Sequence, residues 1–232
     1  AIPYLENTVA TATLYNNNEE ISKKAGGYLP QLYVRQGTQE MKNKSYDAAI
    51  EYFDKALALN EGLYQACQGK AMVYMEQDET DLMLECFNNA KKGAQAKNDT
   101  KTIEQINGTI DSYYNKYITE EMEMVDPEDN DYTYVVEACE NALAANPDNP
   151  FALYHLALVA NKSSQYDQAI EYAQKALQFE TEAVWISAIN YELGSAYQGN
   201  SAYDEACEAL QKVTEEPFLT RAEKKIESVG CN

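Results

Sequence analysis

The chain has few residues of the types that enzymes and metal sites use for chemistry. Its 232 residues include five cysteines and one histidine, and no two cysteines stand at the CxxC spacing of zinc sites. The sequence has no GxSxG, no HExxH and no glycine-rich phosphate loop, so no nucleophile is paired with a base. We therefore expect no catalytic residue, no metal site and no cofactor, and we predict that the chain is not an enzyme.

The charge of the chain narrows the classes of partner. Its 38 acidic and 18 basic residues give a formal charge of -20, which repels nucleic acid phosphates and anionic membrane surfaces. No segment approaches the ~20 consecutive apolar residues of a membrane span. We expect no nucleic acid partner and no direct membrane insertion.

One segment of the chain recurs. The sequence YDAAIEYFDKALALN at 46–60 returns as YDQAIEYAQKALQFE at 166–180, and a weaker copy begins at Tyr203. Between Pro150 and Ala183, apolar residues follow i, i+3, i+4, i+7 spacing in two runs that SSQYD separates. This pattern predicts a helical hairpin in which small Ala157 and Ala169 let helices A and B approach closely.

The spacing of these residues resembles the tetratricopeptide repeat (TPR): Leu, a small residue and an aromatic in helix A, then Ala, an aromatic and Ala in helix B. The resemblance covers 30–217 in five units. It implies an all-α fold, a right-handed α-solenoid of TPR hairpins. The units predicted for a single array over 1–232 are a partial repeat with helix B alone at 1–13, a long repeat at 14–63, repeats at 64–97, 150–183 and 184–217, a long irregular repeat at 98–149, and a capping helix at 218–232.

Irregular positions in the array carry further predictions. Asn18 and Asn98 are expected to open the two long helices as N-caps. Tyr117 stands where the pattern requires Gly or Ala, so we expect its ring to force the two helices of that hairpin apart.

The segment AIPYLENTV at 1–9 aligns with AIEYFDKAL at 49–57, so the chain opens inside a helix B. We interpret it as an excised part of a longer protein, the alternative being a solitary N-terminal capping helix.

The other end of the chain carries signals of a terminal helix. Thr220 and Glu223 form a capping box that predicts the start of this helix, and Gly230 predicts its end. Its polar residues are expected to face water; they are Glu223, Lys224, Lys225 and Glu227.

The cysteines divide into two groups. Cys67, Cys86 and Cys139 fall at helix-packing positions, where a thiol acts as a small apolar group. Antiparallel packing of the last helix B on the capping helix would bring Cys207 level with Cys231, so these two are either disulfide-bonded or free. A bond would imply an oxidising compartment. The chain also resembles TPR proteins of bacterial envelopes, which implies a periplasmic, cell-surface or secreted location; the alternative is the cytoplasm.

The TPR resemblance implies a binding groove. In such proteins the concave wall is lined by helix A residues that point away from helix B. Tyr114, Tyr154 and Tyr191 would form a ladder there, with His155 at the polar rim, unless these side chains pack on the neighbouring repeat. The positions carried over are Val34, Thr38, Met41, Gln65, Gln68, Met72, Met75, Tyr114, Ile118, Phe151, Tyr154, His155, Leu158, Tyr191 and Ser195.

Two functions fit these expectations. The first is a non-catalytic scaffold that binds a protein or peptide segment in the groove. TPR clamps for terminal carboxylates use Lys, Asn and Arg, but those positions hold Val34, Thr38 and Gly69. The acidity favours a neutral, apolar or basic partner, unless it serves only solubility. The alternative is an assembly module that stacks on the rest of a longer chain or self-associates.

Overall fold

The computed structural model of the protein describes residues 2–15 and 19–231, which form helices and no strand. The predicted all-α fold of helical repeats is confirmed. The residues divide into two compact units, 1–108 and 109–232, with the division inside α6. The helices are α1 (Ile2–Tyr15), α2 (Glu19–Lys42), α3 (Tyr46–Leu59), α4 (Tyr64–Glu76), α5 (Thr80–Gln95), α6 (Thr100–Met124), α7 (Thr133–Ala145), α8 (Pro150–Lys162), α9 (Tyr166–Ala176), α10 (Ala183–Gly199), α11 (Tyr203–Leu210) and α12 (Phe218–Val229). No helix of the described residues is both long enough and apolar enough to cross a membrane.

The turn inside each regular hairpin has the same backbone geometry. After helix A, one polar residue takes a positive φ, and the next N–H bonds a carbonyl five residues back, as from Ser45 to Glu40 at 2.9 Å. This is the Schellman closure of a helix C-terminus. Between the two helices of a hairpin, it follows the positive φ of Lys44, Asp78, Ser164 and Ser201.

In the first unit, the helices α2, α3 and α4 pack around one phenylalanine ring. Phe53 on α3 is fully buried, and Gly37 on α2 and Gly69 on α4 face its ring. A Cβ on Gly37 would lie 2.8 Å from the ring, and one on Gly69 would lie closer still. Glycine at these two positions therefore lets α2 and α4 approach the Phe53 ring.

The second unit has a core of small and aliphatic residues where α8 packs against α10. Leu153, Ala157, Ala188 and Ile189 are buried together with Ala173 of α9. Small residues at these positions allow close contact between helices, as the repeat pattern predicts.

Tyr117 does not act as the predicted wedge. Its side chain is 44% exposed, so the ring is not buried between two helices. The buried side chains of this part of α6 are Ile110, Tyr114 and Ile118, spaced by four residues, and this stripe leaves Tyr117 out. The cause that we expected for a distorted hairpin is therefore absent.

The N-cap prediction for α6 is wrong by one residue. Asn98 takes the positive φ of the preceding turn, and Asp99 caps the helix by accepting the Thr102 N–H at 3.1 Å. Tyr64 Oη also donates to Asp99, at 2.6 Å. The hydrogen bonds from Tyr64 and then Thr102 hold the pKa of Asp99 below its ordinary value. The other predicted cap, Asn18, lies outside the described residues.

The terminal helix differs from its prediction at its start. The helix α12 begins at Phe218, so Thr220 lies inside it and donates to Glu216 at 2.6 Å instead of capping it. The predicted end is confirmed, because Gly230 takes φ 80° and its N–H bonds Ile226 O at 3.0 Å. Cys207 and Cys231 form a disulfide that joins α11 to the residue after Gly230.

Candidate binding surface

In the first unit, the predicted groove residues lie on α2 and α4, two helices that contact each other. All seven are half-buried, so part of each side chain is accessible. We call this set the α2–α4 face. It consists of Val34, Thr38, Met41, Gln65, Gln68, Met72 and Met75.

A cavity of this unit lies elsewhere. It measures about 600 Å³ and is lined by residues of α1, α2 and α3, among them Glu6, Arg35 and Lys55. None of the seven residues of the α2–α4 face lines it. The cavity therefore does not belong to the predicted groove.

In the second unit, the predicted residues separate into a buried and an accessible group. Tyr114 and Tyr154 are only 4% and 7% exposed, and Ile118 is fully buried. Leu158 and Ser195 are half-buried on α8 and α10, which pack against each other. The expected tyrosine ladder therefore presents little surface, apart from the half-buried Tyr191.

His155 is a buried residue, not the rim residue that the sequence suggested. It is 8% exposed, with the rings of Phe151 and Tyr154 at 4.3 Å and 4.8 Å from its own. Its Nδ1 lies 2.9 Å from Phe151 O. Burial lowers the pKa of His155 to about 4, although the hydrogen bond to Phe151 opposes this shift.

This buried histidine predicts a pH dependence of stability. Between pH 6.5 and about 4, the unfolded chain holds a proton on His155 that the folded chain does not. Unfolding then takes up a proton. The free energy of unfolding should therefore decrease by about 2–3 kcal/mol as the pH is lowered through this range. Urea unfolding of the wild type and the His155→Gln variant at several pH values measures the difference in slope. Parallel pH profiles for the two proteins would contradict the prediction.

An aromatic pair that the sequence analysis did not assemble lies at the N-terminal ends of α8 and α10. Phe151 and Trp185 are half-buried, and their ring centroids are 5.1 Å apart in an edge-to-face arrangement. Trp185 also contacts Tyr154 at 5.5 Å. The sequence could have indicated this pair, because Trp185 is the one tryptophan of the chain and follows Phe151 by 34 residues, the length of one repeat. We define the α8–α10 face as the half-buried side chains Phe151, Leu158, Trp185, Tyr191 and Ser195.

A polar network joins the C-terminal end of α8 to the middle of α10. Asn161 Nδ2 donates to both the backbone oxygen and Oε2 of Glu192, each at 2.8 Å. Burial raises the pKa of Glu192, while the Asn161 hydrogen bond and the charge of Lys225 oppose the shift. The amide therefore ties α8 to α10 through a partly desolvated carboxyl group.

The terminal helix adds a cation to this network. Lys225 Nζ donates to Gln198 Oε1 at 3.1 Å and lies 5.5 Å from the centroid of the Tyr191 ring. The prediction that Lys225 faces water is wrong, because at 3.6 residues per turn Lys225 lies about 200° from Glu223. A cavity of about 350 Å³ opens here, lined by Asn161, Tyr166, Ser195, Gln198, Gly199 and Lys225.

The remaining candidates for chemistry among the described residues are clustered metal ligands and cysteine thiols. In the described part of the chain, no group of three or more His, Cys, Asp or Glu side chains is placed to hold a metal ion. Of the remaining cysteines, Cys139 is buried and Cys67 and Cys86 are half-buried. Burial raises the pKa of Cys139 to about 12 and that of Cys86 to about 11, so both thiols stay protonated at neutral pH.

Comparison with known proteins identifies the repeats. Sequence profiles described as tetratricopeptide repeat match residues 30–62, 138–171 and 187–216. The first and last of these ranges cover α3 and α11 with the C-terminal parts of α2 and α10, and the middle one covers α8 with parts of its neighbours. No curated protein matches the chain.

Several solved structures are similar to the chain. A crystal structure of MamA protein is 20% identical, with 87% of this chain and 96% of that chain covered and a TM-score of 0.37. YrrB, described as a TPR protein with an unusual peptide-binding site, is 14% identical, with coverages of 93% and 97% and a TM-score of 0.40. TTC0263, a thermophilic TPR protein in Thermus thermophilus, is 20% identical, with coverages of 88% and 100% and a TM-score of 0.39. The profile matches and the repeated hairpins show that the chain contains tetratricopeptide repeats.

Proposed function

We propose that the chain is a non-catalytic scaffold and that the α8–α10 face binds a peptide segment of a partner protein. The observation that carries this proposal is the row of half-buried side chains on two adjacent helices. Phe151, Trp185 and Tyr191 offer rigid apolar area, and Ser195 borders a polar cavity. Buried Tyr154 contacts Trp185 and so helps to hold the Trp185 ring in place.

The α2–α4 face is a second candidate surface, in the first unit. Met41, Met72 and Met75 are half-buried there. Methionine side chains are flexible and polarisable, so they suit contact with apolar segments of different shapes. We propose that this face binds peptide segments less selectively than the α8–α10 face.

A displayed library of random dodecapeptides tests the proposal and does not require the partner to be identified first. Peptides selected on the wild-type protein should lose binding to a Leu158→Glu, Ser195→Glu variant, because both changes place charge on the α8–α10 face. Tyr203→Glu on α11 is the matched control, since Tyr203 is 53% exposed outside this face. Circular dichroism checks that the variants are folded.

Two outcomes would count against binding by this face. One is a selection that enriches no peptide, and the other is an equal loss of binding in the Tyr203→Glu control. The alternative, self-association, predicts oligomers in light scattering that grow with concentration and persist in the Leu158→Glu, Ser195→Glu variant.

The location of the protein is also a proposal. The disulfide between Cys207 and Cys231 favours an oxidising compartment, such as a periplasm or a cell exterior.

The formal charge of -20 disfavours nucleic acid as a partner.

A further inference from the structure

We infer that the partner segment is basic and that one of its arginine or lysine side chains docks on the Phe151–Trp185 pair. The inference rests on the proposed function of the α8–α10 face and names the chemistry of its partner. A guanidinium or ammonium group is attracted to the face of an aromatic ring, most strongly to that of tryptophan. Both residues of this edge-to-face pair are only half-buried, so part of each ring is accessible to such a group.

The chain's own cations leave this pair uncovered. In the second unit, basic side chains lie over three other aromatic rings at 5.5–5.9 Å from the ring centroids. Among the described residues, no cation of the chain lies over Phe151 or Trp185. The three covered pairs are Lys162 with Tyr132, Arg221 with Phe218, and Lys225 with Tyr191.

Carboxylates flank the pair at both helix starts. Exposed Asp148 precedes Phe151 by three residues, and exposed Glu182 precedes Trp185 by three residues. The two carboxylate and ring combinations are 34 residues apart, so both recur at the N-terminal end of a helix A. Each combination places an exposed carboxylate three residues before an aromatic ring that a cation could contact.

One basic side chain contacts the loop before α8. Lys175 Nζ donates to Pro147 O at 2.9 Å and is held there by that bond. The acidic residues of the loops before α8 and α10 are Asp148, Glu182 and the half-buried Glu180. The net charge of these four side chains is therefore negative.

The net charge of the second unit also favours a basic partner segment. Residues 109–232 carry 23 acidic and seven basic side chains, a formal charge of -16. Three of the seven cations are the ones that lie over Tyr132, Tyr191 and Phe218. A field of one sign accelerates association with segments of opposite charge and repels acidic ones.

Fluorescence anisotropy with labelled peptides tests the inference on the full chain. The probe is a fluorescein-labelled hexapeptide of alternating arginine and leucine, and its counterpart has glutamate for arginine. We expect the arginine peptide alone to bind and added salt to weaken it. The Phe151→Leu, Trp185→Leu variant should bind it about tenfold more weakly, and the Asp148→Asn, Glu182→Gln variant about threefold more weakly.

The second variant keeps the test valid if the ring substitutions disturb folding, because Asp148 and Glu182 are exposed. The matched control is Tyr203→Leu, Glu208→Gln, which removes an exposed ring and an exposed carboxylate from α11 and should bind as the wild type does. Equal binding of both peptides, or unchanged affinity in the Asp148→Asn, Glu182→Gln variant, would overturn the inference.

The peptide selection separates this inference from the function on which it rests. If the selected dodecapeptides need the α8–α10 face but are not enriched in arginine or lysine, the face binds peptides and the inference fails. If no peptide is selected and the arginine peptide does not bind, both fail.

Discussion

Replacing Phe53 by alanine should lower the free energy of unfolding of the first unit by about 3–5 kcal/mol. The ring is fully buried, and Gly37 and Gly69 face it from α2 and α4. Its removal would leave a cavity that two close-packed backbones cannot easily collapse into. Urea unfolding followed by circular dichroism measures the loss. Leu59→Ala is the control on the same helix, since Leu59 is 54% exposed and should change stability by about 0.5 kcal/mol or less.

A second substitution tests the geometry of this contact from the opposite side. A Cβ on Gly69 would collide with the Phe53 ring, so Gly69→Ala should destabilise the wild type by about 1–3 kcal/mol. In a Phe53→Leu background the ring is absent and the cost of Gly69→Ala should shrink. Additive effects of the two substitutions would contradict the packing of Phe53 against Gly69.

Loss of the Cys207–Cys231 disulfide should lower the free energy of unfolding by about 3 kcal/mol. The bond closes a loop with a sequence separation of 24 residues, which restricts the unfolded chain. It also holds α12 on the buried cluster of Leu210, Val213 and Ala222. The Cys207→Ser, Cys231→Ser variant should unfold at a lower urea concentration than the oxidised wild type, and at the concentration found for the reduced wild type.

Thiol counting provides an independent check of the bond. Alkylation of the denatured, unreduced protein should modify three cysteines, namely Cys67, Cys86 and Cys139. Five modified cysteines would contradict the disulfide and remove the main support for an oxidising compartment.

The repeated hairpins were predictable because each depends on local spacing. The small residues Ala157 and Ala169 mark where two helices meet, and both are buried in the structure. Gly230 marks a helix end because a positive φ costs glycine little. Signals of this kind depend only on neighbours in the sequence.

The errors arose where a side chain is placed by contacts distant in sequence. Thr220 was predicted as a cap, yet the helix begins at Phe218, which packs in the cluster beneath α12. Lys225 was placed in water, yet it bonds Gln198, which is 27 residues away. Local spacing alone does not encode contacts of this type.

The candidate surface was predictable only in outline. Helix A residues were expected to form it, and Leu158, Tyr191 and Ser195 are indeed accessible. The burial of Tyr154 and His155 depends on the neighbouring helix, because α10 brings Trp185 against Tyr154. The Asn161–Glu192 hydrogen bonds likewise join residues 31 positions apart, and no sequence motif predicts such a contact.

Hydrogen–deuterium exchange in the presence of a selected dodecapeptide tests the central claim most directly. If the α8–α10 face binds the segment, amide exchange should slow in 150–162 and 183–199 and stay unchanged in α9 and α11. Protection confined to α9 or α11, with none in α8 and α10, would contradict the claim that this face is the binding surface.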